Sequence, residues 1–314
     1  MTRAFVFPGQ GSQAVGMGRD LAEAFPVARQ VFEEVDEALK QKLSLLMREG
    51  PEADLTLTEN AQPALMAVSL ATMRVIESEG GKKLAQMAAY VAGHSLGEYS
   101  ALAASGALSV ADAARLLKKR GQAMQRAVPV GEGAMAALLG IELEGALEAC
   151  KEAAQGEVVS VANDNGGGQV VISGKKEAVE RAIEAAKTRG CKRGMLLPVS
   201  APFHCALMQP AADAMADALG EANLAPPSVP LVANVRASEV SDPATIKKLL
   251  VEQVTGMVRW RESVLYMKSK GVDTLVEVGT GKVLTGLVKR IDKEMTGMAI
   301  NAPADVEAFL KSAT

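Results

Sequence analysis

Short apolar runs alternate along the chain with longer stretches whose apolar positions recur at helical spacing. Residues 4–7 read as a first strand, followed by the turn Pro8-Gly9-Gln10-Gly11-Ser12. Residues 65–76 predict a helix and 88–92 a buried strand. A further helix over 98–105 follows the turn around Ser95. Strands are expected again at 231–234 and 274–278. Strands alternating with helices define an α/β chain with a largely parallel sheet.

Residues 129–198 have another rhythm. A strand at 134–139 and a helix at 144–154 lead to two strands, 158–162 and 169–173, around Asp164-Asn165-Gly166-Gly167-Gly168. A helix at 176–189 and a strand at 192–198 complete it. The order β-α-β-β-α-β is the ferredoxin-like split motif. Pro129 and Pro198 bracket it, so a small domain over 129–198 is expected, inserted into a discontinuous larger one made of 1–128 and 199–314. No repeat or low-complexity tract interrupts this plan. Pro226-Pro227-Ser228-Val229-Pro230 reads as a rigid connector.

Composition narrows the function. With 314 residues, 48% hydrophobic and 23% charged, the chain has the length and balance of a soluble globular protein. A net charge of −3 and 3% aromatic residues supply neither the basic field nor the stacking platforms of a nucleic-acid binder. No apolar run approaches the roughly 20 residues of a membrane span, and that at the N-terminus is too short for a signal peptide. Cys150, Cys191 and Cys205 fit no C-x-x-C spacing and read as reduced thiols, not a disulfide frame or zinc site. These features place the protein in the cytoplasm, away from membranes.

Gly93-His94-Ser95-Leu96-Gly97 sits between a buried strand and a helix, the context of a nucleophile elbow. Small residues also serve plain turns, so the motif alone leaves both readings open. As an elbow, its glycines let the chain turn tightly and the Leu96 amide faces an oxyanion formed at Ser95. A serine hydroxyl needs a base, and the chain has two histidines. His94 flanks the serine and points elsewhere, which leaves His204 as base. His204 stands in Pro202-Phe203-His204-Cys205, where the chain returns to the larger domain over 199–204 and a cleft is expected. A buried core histidine beside Phe203 is the alternative. Asp213 and Asp217 follow, but no spacing marks either as a triad acid; a backbone carbonyl can orient the imidazole instead.

Arg120 lies on a helical face with Val110, Ala113, Leu117, Gly121 and Met124, whereas Lys118 and Lys119 fall outside it. An inward arginine either clamps a carboxylate bidentately or snorkels its stem over the core. Gly9-Gln10-Gly11-Ser12-Gln13-Ala14 fits a dinucleotide fingerprint, but Glu33 and Glu34 sit in a helical pattern rather than at the end of a second strand. The better reading is a close-approach loop whose Gln10 amide is a second oxyanion donor. Lys187, Arg189, Lys192 and Arg193 form a basic run, either a solvated face or a dock for an acidic partner.

Together these motifs resemble the malonyl-CoA:acyl carrier protein transacylase family nearly end to end. The resemblance rests on Phe7-Pro8-Gly9-Gln10-Gly11-Ser12-Gln13, Gln62-Pro63-Ala64, Gly93-His94-Ser95-Leu96-Gly97-Glu98-Tyr99, Arg120, Ala162-Asn163-Asp164-Asn165, Pro202-Phe203-His204, Gln253-Val254-Thr255 and Glu277-Val278-Gly279. Thr280 departs from the family's usual proline. The resemblance implies an α/β-hydrolase-like large domain with a ferredoxin-like small one. It implies Ser95 as nucleophile, His204 as base, and the Gln253 carbonyl as orienter. The amides of Gln10 and Leu96 would form the oxyanion hole, Arg120 would take the malonyl carboxylate, and Asn163 would line the cleft. Malonyl-CoA and acyl carrier protein are the implied partners, and no cofactor is implied. A serine esterase on the same elbow is the competing enzyme, and a non-enzymatic binding module with the same fold is the other alternative.

Overall fold

In the first strand, β1 (Arg3–Phe7), four consecutive side chains from Ala4 to Phe7 are fully buried. The computed structural model, which describes residues 1–199 and 201–312, shows why. β1 lies inside a six-stranded sheet with helices on both faces. Its alternate residues feed two cores. Phe5 and Phe7 join the larger core, built on the helix Thr58–Gly80 among others. Ala4 and Val6 join a second one with Trp260, Met267 and Leu284. Ser200, within the 199–204 segment singled out above, lies outside the described residues.

The other strands are β2 (Tyr90–Gly93), β3 (Gly133–Leu139), β4 (Val159–Gly166), β5 (Gln169–Lys175), β6 (Arg193–Leu196), β7 (Leu231–Ala233), β8 (Ser238–Val240), β9 (Thr274–Val278) and β10 (Thr296–Ile300). The large sheet runs β10-β9-β1-β2-β7-β8. All its pairings are parallel except β7 with β8, which forms an antiparallel edge. The mixed α/β layering with a mostly parallel sheet is as expected. The edge strands β8 and β10 escaped the sequence pattern because Ser238-Glu239-Val240 is very short and β10 is half exposed. The helix expected at 65–76 spans Thr58–Gly80. It contains Pro63 in its second turn, and a proline inside an apolar pattern suggests a later start.

The second sheet is antiparallel, in the order β4-β5-β3-β6. With the helices Leu143–Ala154 and Lys176–Lys187 it realises the β-α-β-β-α-β order. Its core is built from small residues such as Ala136, Ala146, Ala149 and Ala182 with Leu138 and Ile172. β4 runs further than expected, taking in Asn163 to Gly166 with register shifts on the way. That extension docks on the larger unit: Asp164 N donates to Val258 O (3.0 Å) and Val258 N to Ala162 O (2.8 Å). Arg261 Nε donates to the buried Asp164 carboxylate at 2.8 Å. Gly166 and Gly167 have φ of 74° and 60°, and a Cβ on Gly167 would lie 2.4 Å from the Arg290 side chain. These glycines serve close approach as well as the turn. Among the described residues, no helix is long and apolar enough to cross a membrane.

Candidate active site

The adjacent parallel strands β1 and β2 end together, Phe7 opposite Gly93. Ligand sites of parallel sheets lie beyond such carboxyl ends. The two loops that leave them are pressed against each other. His94 N donates to Phe7 O (3.0 Å), and a Cβ on Gly9 would sit 2.8 Å from His94 O. On Gly93 a Cβ would overlap the Gly97 carbonyl at 1.9 Å. Gly9, Gly93 and Gly97 therefore permit backbone contact that a side chain would block. Between them Ser95 takes φ of 53°, a left-handed conformation that side chains with a Cβ rarely adopt. A strand, a strained serine and the helix Gly97–Ala104 make the elbow expected from the motif.

Ser95 Oγ lies 2.7 Å from His204 Nε2. His204, itself at φ of 57°, has its Nδ1 2.8 Å from the main-chain oxygen of Gln253. A carbonyl only accepts, so Nδ1 carries the proton and Nε2 is left as an acceptor for the serine hydroxyl. Asp213 and Asp217 are exposed, and Asp213 accepts from Gln209 (2.8 Å). Burial, reinforced by the Arg120 charge, pushes the His204 pKa down to about 3 from 6.5, against the opposing Gln253 bond. Protonation would remove the base, so the loss occurs only below that depressed value. Acylation of Ser95, followed as kcat/KM of the free enzyme, should stay level down to about pH 5, where an ordinary histidine would already be protonated. A half-loss near pH 6.5 would show that His204 titrates normally.

Arg120 is 1% exposed. The helix Val110–Ala127 carries it inward with Val110, Ala113, Leu117 and Met124, as the periodicity requires, while Lys119 is exposed and Lys118 pairs with Glu59. Its guanidinium does not snorkel. Nη1 donates to Gln62 Oε1 (2.7 Å), and Nη2 to Gln253 Oε1 (2.8 Å) and Ser95 Oγ (3.2 Å). Nε is buried with no protein partner. From Gln62 the bonding continues: its Nε2 donates to Thr58 Oγ1, which donates to Gln10 Oε1, each at 2.8 Å. This relay pins the Gln10 side chain. Among the described residues, the main-chain amides of Gln10 and Leu96 donate to no other protein group.

A cleft of about 550 Å³ joins these groups and is lined by Gln10, Ser95, Leu96, Arg120, Asn163 and His204 among others. Its size suits a small-molecule site. Asn163 reaches it from β4, bridging to Val258. Gln253 lies behind the cleft, fully buried. All seven candidate residues thus converge on one place. His94 also borders the cleft, but its Nε2 lies 2.9 Å from Asn165 Oδ1 of β4 and its ring beside Trp260. A depression of about 660 Å³ between the helices of the small sheet is lined by Glu152, Glu177, Glu180 and Glu184 with Arg181. It holds no histidine or cysteine and lies apart from these groups. In the basic run, Lys187 pairs with Glu184 and Arg189 with Glu152. Cys150, Cys191 and Cys205 are buried free thiols. No cluster of three potential metal ligands occurs among the described residues.

Two residues of the site were missed by the sequence reading of roles. Asn234 follows β7, and its side chain holds both ends of the elbow: Oδ1 accepts from Ser95 N (2.8 Å) and Nδ2 donates to Gly93 O (2.7 Å). Glu98, 1% exposed, accepts from Asn234 N (2.6 Å) and from Gln253 Nε2. Burial outweighs those donors and the Arg120 charge and raises its pKa to about 8 from 4.5. The available signal was Glu98 itself, the one charged residue in the helix Gly97–Ala104.

A serine elbow at the end of a parallel strand, with a buried histidine and a buried arginine beside it, defines an enzyme that handles acyl groups. The chain belongs to the acyl transferase domain family, whose profile matches residues 4–305. It is 50% identical over 308 residues to the malonyl CoA-acyl carrier protein transacylase of Escherichia coli (strain K12), covering 98% of each chain. The transacylase of Bacillus subtilis (strain 168) is 45% identical, covering 98% of this chain and 96% of its own. The crystal structure of an acyl-carrier-protein-S-malonyltransferase from Bartonella henselae superposes with a TM-score of 0.97 at 56% identity, over 100% and 99% of the two chains. A malonyl-transacylase solved in complex with its type II polyketide acyl-carrier protein gives 0.96 at 46% identity, over 99% and 100%.

Proposed function

We propose that the protein transfers malonyl groups from malonyl-CoA to the phosphopantetheine thiol of acyl carrier protein, supplying fatty-acid elongation through a malonyl-serine intermediate. Relatives of this name at half identity over nearly the whole chain support the substrates. The observation that carries the specificity is Arg120, a buried cation 3.2 Å from the nucleophilic oxygen, with an unpartnered Nε. A carboxylate on the acyl group satisfies it.

In the first half-reaction Ser95 Oγ attacks the thioester carbonyl carbon while His204 Nε2 takes its proton. The carbonyl oxygen becomes an oxyanion held by the amides of Gln10 and Leu96. The carbon–sulfur bond breaks, and His204 returns the proton to the coenzyme A sulfur. In the second half the carrier thiol gives its proton to His204 and attacks the malonyl ester, and Ser95 regains a proton as it leaves. The Gln253 carbonyl keeps His204 in the working tautomer and stabilises its charged form. Asn163 lines the cleft from β4. No cofactor is needed, because the coenzyme A thioester is itself the substrate.

In this reading residues 1–128 and 199–314 form an α/β-hydrolase-like domain and 129–198 a ferredoxin-like one, with the cleft between them, and the enzyme acts in the cytoplasm. An esterase on the same elbow has no use for an inward arginine beside its serine. The test is intact-protein mass spectrometry after brief exposure to malonyl-CoA, followed by addition of holo acyl carrier protein. One malonyl increment should appear and then move to the carrier. Release as free malonate, with none on the carrier, would establish a hydrolase instead.

A further inference from the structure

Arg120 and Glu98 are both 1% exposed, and their side chains are joined through one carboxamide. The Gln253 side chain accepts from Arg120 Nη2 at Oε1 (2.8 Å), and its Nε2 donates to Ser95 O (2.9 Å) and to Glu98 Oε2. Its main-chain oxygen takes the His204 bond. A carboxamide can turn over, exchanging oxygen for nitrogen. Turned over, Gln253 would present N–H groups to the Arg120 N–H groups and an oxygen to two acceptors. Glu98 also receives Asn234 N at its other oxygen (2.6 Å), and Asn234 in turn grips Ser95 N and Gly93 O. Each Glu98 oxygen thus accepts one N–H, which fixes the carboxyl from both sides. Glu98 touches none of the reacting atoms, yet one arm from it reaches the arginine and another the elbow.

We propose that Glu98 is a positioning residue for acyl selection: it fixes the orientation of the Gln253 carboxamide and, through it, the aim of the Arg120 guanidinium at the acyl carboxylate. The proposal rests on the malonyl-transfer reading. Glu98 reaches Arg120 only through the Gln253 carboxamide and so occupies none of the guanidinium N–H groups itself. Direct pairing of Glu98 with Arg120 would fill the clamp; the intervening amide leaves it open.

The test compares wild type, Glu98→Gln and Glu98→Asp by the ratio of malonyl to acetyl loading on Ser95 from the two coenzyme A thioesters, with KM and kcat resolved. Glu98→Gln keeps the size but sets an N–H group against Asn234 or Gln253. The malonyl-to-acetyl ratio should fall on the order of tenfold, as for loss of one charge-assisted bond, mainly through KM for malonyl-CoA. Glu98→Asp keeps the charge and should recover part of it. In an Arg120→Ala background, Glu98→Gln should no longer move the ratio. If Glu98→Gln does not fold, Gln253→Met cuts the same arm one residue on and should lower the ratio alike. An unchanged ratio in the folded variant, or an equal fall with Arg120 absent, overturns the positioning role. Failure of wild type to take up malonyl at all would instead remove the functional reading on which it rests.

Discussion

Ser95→Ala should take up no malonyl group from malonyl-CoA, and transfer to the carrier should fall by roughly 10⁴-fold or more. Without Oγ there is no covalent intermediate, and His204 has nothing to deprotonate except the incoming thiol. The residual rate measures direct transfer with malonyl-CoA and the carrier thiol bound together, for which one cleft of about 550 Å³ leaves little room. The measurement is intact mass together with steady-state transfer, alongside unfolding curves to show that the elbow is preserved. Its backbone should survive, because Ser95 N is held by Asn234 and not by the hydroxyl. A Ser95→Ala protein that still acquires the malonyl increment would place the nucleophile elsewhere.

Arg120→Ala should lower kcat/KM for malonyl-CoA on the order of 10²-fold or more, the loss expected when one partner of a buried charge pair is truncated. Acetyl-CoA should be much less affected, so selection between the two acyl groups collapses. Arg120→Lys should fall between. A lysine keeps the charge but lacks the fork that serves Gln62 and Gln253 at once. Both variants should also be less stable, since they strip Gln62 Oε1 and Gln253 Oε1 of a buried donor. Thermal unfolding of each separates that effect from the kinetic one. Equal losses for malonyl and acetyl thioesters would mean that Arg120 holds the site together without reading the carboxylate.

The parts of the site legible in the sequence each had a local signal. Ser95 stood between glycines after an apolar run, His204 was the one histidine free to reach it, and Arg120 shared a helical face with apolar residues. Gln253 as orienter came from family likeness alone, because a main-chain carbonyl leaves no trace in residue type. Asn234 and Glu98 were silent for a related reason. Asn234 lies 139 residues from Ser95, and Gln253 lies 155 from Glu98. Such pairings arise only once β7 and the helix Pro243–Thr255 are in place. Fold class followed from the continuous apolar runs of strands buried on both faces. β8 and β10 lie at the sheet edges, where one missing neighbour dilutes that pattern.

The strand order also governs when this enzyme can exist during its own synthesis. β1 is central and needs β9, a partner far downstream: Arg3 pairs with Thr274. Until then one edge of β1 is open, and Phe5, Val6 and Phe7 have only part of their cover. Such long-range pairing slows folding and leaves a sticky strand exposed on the nascent chain. His204 follows Ser95 by 109 residues and the Gln253 carbonyl by 158. The growing polypeptide therefore carries a serine without its base over that stretch, and cannot consume thioester before its sheet closes.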